Sequence, residues 1–95
     1  MLVKVKNALR ISANNVALND ELTDLIEAAK LDLGIAGVIV PDEFDAIVSK
    51  AIITYCKMSF GIPEDYDRLK RSYDEQKAQL SNASGYTDWE VSRNV

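Results

Sequence analysis

The sequence predicts an all-α fold, a small four-helix bundle with a short first helix and an extended C-terminal arm. Three observations predict it. Apolar residues recur with a helical period along nearly the whole chain. Glycine and proline interrupt that period at Gly34, Gly37, Gly61 and Pro63, where helices are expected to stop or start. The last residues change character: Tyr86, Thr87, Trp89 and Val91 have strand-like composition after a break at Gly85. With 95 residues, 47% hydrophobic and 27% charged, the chain is expected to form one domain, a bundle over about 1–83 and an arm over about 84–95.

The first helix is read over about 2–11, with Leu2, Val5 and Leu9 on one face. A helix this short is marginal alone and must dock on something. Residues 12–18, with Asn14 and Asn15, read as a loop. The second helix is expected to be capped by Asn19 or Asp20, whose short side-chain oxygens accept from free backbone N–H groups. Asp20, Glu21 and Asp24 also suit the positive end of its dipole. Leu22, Leu25, Ile26, Ala29 and Leu33 form its apolar stripe. Residues 35–40 are apolar and β-branched and suit an extended connector buried against the bundle or against a neighbour, with helix, strand and loop all left open by the sequence.

Pro41-Asp42 is expected to open the third helix, with Asp42 as N-cap. Phe44, Val48, Ala51, Tyr55 and Met58 fit one seam, and Ile47, Ile52 and Cys56 widen it. Ile53 and Phe60 leave little polar face, as in a central helix. Gly61 suits a left-handed position, and Pro63 blocks continuation and pre-sets the fourth helix. There Tyr66, Leu69, Tyr73 and Leu80 make the apolar stripe. Asp67–Arg71 and Asp74–Lys77 have the spacing of helical ion pairs.

Composition excludes several functions. The chain has one cysteine, Cys56, and no histidine. That removes an internal disulfide, a cysteine-based zinc site, the commonest general base and any Ser–His pairing. No phosphate-binding glycine loop is present. The carboxylates lack the spacing of a calcium loop or a di-iron bundle. No catalytic residue, metal ligand or cofactor is therefore expected. No apolar run is long enough to span a bilayer, and no signal peptide is read. A net charge of −4 argues against a dedicated nucleic-acid binder.

The charge is unevenly placed. Lys4, Lys6 and Arg10 make the start basic, and Asp20, Glu21 and Asp24 make the next helix acidic. These six are candidate interface residues, with Tyr86, Trp89 and Val91 of the arm, because Trp and Tyr favour interfaces. A merely solvated surface is the bland reading of each charge.

Four stretches occur in order: VKNALRIS (5–12), NDELTDLIEAAKLDL (19–33), AIITYCKMSFG (51–61) and YDRLKRSYDEQKAQLSNASGY (66–86). This ordered set resembles the small head–tail connector, or DNA-packaging adaptor, proteins of tailed bacteriophages and prophages. The resemblance covers nearly the whole chain. It implies a non-enzymatic helical subunit of the virion, assembled in the host cytoplasm. It implies a homo-oligomeric ring of about twelve copies below the portal protein, built by head-to-tail contacts. Such a ring extends the DNA channel without sequence-specific binding. It offers a platform to a further connector, stopper or tail protein. The runner-up is a small helical regulator or adaptor that binds a cellular protein or DNA. A regulator is expected to form a low closed oligomer and to need no portal.

Overall fold

The computed structural model describes residues 1–38 and 45–82. Among them lie four α-helices and no strand: α1 (Leu2–Ala8), α2 (Asn19–Ile35), α3 (Ala46–Ser59) and α4 (Tyr66–Asn82). The all-α, four-helix expectation holds, including the short first helix. The expected arm, with Tyr86, Trp89 and Val91, lies outside the described residues.

Helix α3 is central. It packs against α1, α2 and α4, and α1 also rests on α2. Sequence explains this role. Val48, Ala51, Ile52, Cys56 and Met58 are buried, and so are Ser49 and Thr54. The Thr54 hydroxyl stays satisfied because it donates to the Lys50 carbonyl at 2.9 Å. Helix α2 buries Leu22, Ile26, Ala29 and Leu33 against this centre, as its period predicts, and Leu25 is half-buried. Helix α4 buries Leu69, Tyr73 and Leu80.

Several boundaries differ from expectation. The N-cap of α3 is Asp45, whose carboxylate accepts from Ile47 N at 2.9 Å and Val48 N at 3.2 Å. Asp42 and Phe44 lie outside the described residues. Helix α2 begins at Asn19 behind Leu18, with no side-chain cap bond, so neither Asn19 nor Asp20 is its cap. Ile35, whose conformation the sequence leaves open, is the last residue of α2, and it is 87% exposed. Ile47 is exposed instead of widening the seam. Tyr66 is 43% exposed instead of lying on the buried stripe of α4.

Two helices end in the same way. After α2, Gly37 has φ +101°, Val38 N–H bonds the Leu33 carbonyl and Gly37 N–H bonds the Gly34 carbonyl, both at 3.0 Å. These two bonds satisfy carbonyls at the helix end, and Val38 and Leu33 both belong to the buried core. After α1, Ile11 N–H bonds Lys6 O at 2.8 Å and Arg10 N–H bonds Asn7 O at 3.2 Å. Here the left-handed position is held by Arg10, at φ +60°. A side chain there costs about 1–2 kcal/mol that glycine does not. Arg10→Gly is therefore expected to raise unfolding stability by about 1 kcal/mol, allowing for the added freedom of the unfolded chain. Urea denaturation checks this. A loss of stability contradicts it.

Candidate functional site

Of the candidate interface residues, Lys4 and Arg10 stand on one exposed face and Asp20, Glu21 and Asp24 on another. Helix α1 exposes Val3, Lys4, Asn7 and, just past its end, Arg10. This spacing is one helical stripe, so the two cations share it with one valine. Lys6 is different. It is 3% exposed, and its ammonium donates to the Asn15 carbonyl at 2.7 Å and the Ala13 carbonyl at 3.5 Å. Its charge therefore fastens the 12–18 loop to α1, because a buried ammonium must find acceptors. Asn15 supports the same loop, its side-chain oxygen accepting from Ala17 N at 3.2 Å.

Helix α2 exposes Asp20, Glu21 and Asp24 in its first half, followed by Glu27, Leu31 and Ile35. Positions 20, 24, 27, 31 and 35 follow the three-to-four spacing of one stripe. The stripe is acidic at its start and apolar at its end, where Leu31 is 70% exposed. The acidic half was legible as charge. Its apolar continuation was readable too, because Leu31 and Ile35 fall off the buried stripe of Leu22, Ile26, Ala29 and Leu33. Tyr86, Trp89 and Val91 are outside the described residues, so their relation to these faces is not placed.

A third feature ties the faces to a rigid frame. The Tyr73 hydroxyl of α4 donates to the Asp32 carboxylate of α2 at 2.5 Å, and Lys77 reaches the same oxygen at 3.2 Å. The Lys77 ammonium also lies 5.3 Å from the centre of the Tyr73 ring, a cation–π contact. Tyr55 of α3 meets Tyr73 edge to face, with ring centres 5.4 Å apart. One tyrosine thus joins three helices. Asp74 and Lys77 have the spacing of a helical pair. In the fold Asp74 pairs with Lys70 at 2.7 Å, one turn earlier, while Lys77 crosses to α2. Arg68 pairs with Asp65 ahead of α4.

Burial works against the Asp32 charge. The Tyr73 hydroxyl and the Lys77 ammonium outweigh it, so its carboxyl titrates below the usual range. Burial and the adjacent Asp32 charge push the Tyr73 hydroxyl far up. A carboxyl with a depressed folded pKa adds stability above its unfolded pKa of about 3.9, and this is lost as pH falls through the folded value. Below about pH 3.9, wild-type stability is expected to fall with a steeper pH slope than that of Asp32→Asn. Equal slopes in acid denaturation contradict this clamp.

Chemistry elsewhere is sparse. Burial pushes the Cys56 thiol up to about 11, so at neutral pH it stays an unreactive thiol. Among the described residues no group of His, Cys, Asp and Glu is placed to hold a metal ion. None of their helices is long and apolar enough to cross a membrane. What the arrangement offers is two charged helix faces on a braced bundle.

A protein-family model described as a phage connector protein matches residues 1–87. No curated protein and no solved structure matches the chain.

Proposed function

This chain belongs to the phage connector protein family, and on that premise we propose that it is the structural, non-catalytic head–tail connector subunit of a tailed phage or prophage. The observation that carries the reading is the family match, which spans all four helices. The subunit forms a closed ring of about twelve copies beneath the portal, through heterologous contacts in which one face docks on a different face of the next copy. Once DNA is packaged, the ring extends the channel and gives a stopper, a further connector or a tail protein its platform. The whole chain acts as one connector domain. Its place is the head–tail interface of the virion, after assembly in the host cytoplasm.

The physical chemistry supports this. The basic face of α1 and the acidic face of α2 are separate surfaces of opposite sign, as a head-to-tail contact requires. Lys4, Arg10, Asp20, Glu21 and Asp24 stand on them, with Lys6 holding the loop beside them from within. A net charge of −4 suits a channel that DNA slides through, because fixed cations would hold its phosphates. Tyr86, Trp89 and Val91 are proposed to anchor the C-terminal arm on the portal or the adjacent copy.

Co-sedimentation with the portal protein of the same phage tests the reading. Wild-type chain is expected to sediment with the portal in a fixed ratio. Trp89→Ala is expected to weaken that association while leaving the helical circular-dichroism signal nearly unchanged. Complete separation of chain and portal at every concentration contradicts the proposal.

A further inference from the structure

One face of the central helix is basic, although the chain as a whole carries a net charge of −4. An open groove of about 360 Å³ lies between α1 and α3, lined by Lys4, Lys50, Lys57, Ile53 and Ala46 with Ser49 and Thr54. Three lysines converge on it, and among the described residues no carboxylate lines it. Positions 46, 50, 53 and 57 form one stripe on α3. Lys50 and Lys57 are two turns apart, about 10.5 Å along the axis.

The exposed stripe of α2 has the matching spacing in the opposite sign. Asp20 and Glu27 are also two turns apart, again about 10.5 Å; Glu27 lies 3.5 Å from Lys30 of its own helix, a surface ion pair of little strength that leaves its other oxygen for a partner. In an antiparallel arrangement one register satisfies both stripes. Asp20 falls opposite Lys57, Glu27 opposite Lys50 and Leu31 opposite Ala46, beside exposed Ile47. The charged ends pair and the exposed leucine meets the apolar end of the groove. Both stripes belong to helices held by the same core, so they are presented without reordering.

We propose that the lysine-lined α1–α3 groove of one copy receives the acidic α2 face of the next copy, antiparallel and in this register. The pairing rests on the ring reading and identifies its subunit contact. The groove and the α2 face share no residue, so each copy can offer one surface to each of two neighbours, as the head-to-tail contacts of a ring need. A free polyanion meets the lysines equally well, but it leaves Leu31 and Ile47 uncovered. The second copy covers both. Because the pairs lie near solvent, assembly through this contact weakens as salt rises.

A charge-swap experiment tests the pairing, with oligomer formation read by sedimentation in the presence of the portal as template. One variant carries Lys50→Glu and Lys57→Glu, and the other carries Asp20→Lys and Glu27→Lys. Each alone is expected to self-associate at least about tenfold more weakly than wild type, because like charges then face each other. An equimolar mixture is expected to regain assembly, since each reversed surface meets its complement on the other variant. Carbodiimide cross-linking of wild-type protein reads the contact without any substitution, and it is expected to join Lys57 to Asp20 and Lys50 to Glu27. Wild-type-like assembly of both variants, or a mixture that stays dissociated while both keep their helical signal, overturns the pairing but not the ring. Loss of duplex DNA binding by the lysine variant, with self-association intact, also overturns it and gives the groove to nucleic acid. A wild-type chain that forms no oligomer with or without the portal overturns the ring reading itself.

Discussion

Tyr73→Ala is expected to destabilise the subunit by about 3–5 kcal/mol, as large aromatic truncations in cores do. The ring is buried in α4 and meets Tyr55 of α3 edge to face. Its hydroxyl donates to Asp32 of α2, and Lys77 stacks on its face. Removing it opens a cavity between α3 and α4, and it leaves Asp32 with Lys77 alone. Tyr73→Phe separates the two parts. It keeps the ring and removes only the bond to a charged acceptor, for an expected loss of about 1.5–3 kcal/mol. The phenol also has an alkaline signature. Its folded pKa is raised, so it adds stability below its unfolded pKa of about 10 that is lost as pH rises above that value. Tyr73→Phe is expected to lose this alkaline slope. Unchanged melting of Tyr73→Ala removes the residue from the frame.

The second large effect is at the centre. Ile52→Ala is expected to cost about 2–5 kcal/mol, and Ile52→Val about 0.5–1.5 kcal/mol. Ile52 is fully buried in α3, the helix that touches each of the other three. A cavity there has walls from several elements and collapses poorly, which places the cost toward the upper part of that range. Urea unfolding of both variants checks the order. A smaller loss for alanine than for valine contradicts the packing described.

How much of this was legible follows from where each signal resides. The stripe of Leu22, Ile26, Ala29 and Leu33 was readable because period is a property of consecutive residues, and burial follows it. The start of α3 was not. Asp42 and Asp45 are both plausible caps, and only the bonds to Ile47 and Val48 select Asp45. Tyr66 misled for a different reason. Tyr55 faces Tyr73 across the Gly61 turn. Seven residues before Tyr73 comes Tyr66, and seven after Tyr55 comes Ile62, past the end of α3 at Ser59. The stripe continues there, but the surface to cover it does not.

The charges show the same division. Asp20, Glu21 and Asp24 were readable as an exposed acidic face. Lys6 resembled Lys4 and Arg10 in sequence, yet its acceptors are carbonyls at Ala13 and Asn15. A backbone carbonyl leaves no mark on the sequence, so that role was invisible. Lys77 has Asp74 at helical spacing but bonds Asp32, which is 45 residues away. The lysines at 50 and 57 carried an available signal, a two-turn repeat of cations on an otherwise apolar helix.

As a ring subunit docked on a portal, which is the role proposed, the chain must be visible on that portal. Electron microscopy of the purified chain mixed with the portal of its own phage tests it most directly. The expected image is a ring of repeated small helical subunits, coaxial with the portal on its tail-facing side and open at the centre. Portal particles that show no added density at any concentration of the chain contradict the claim.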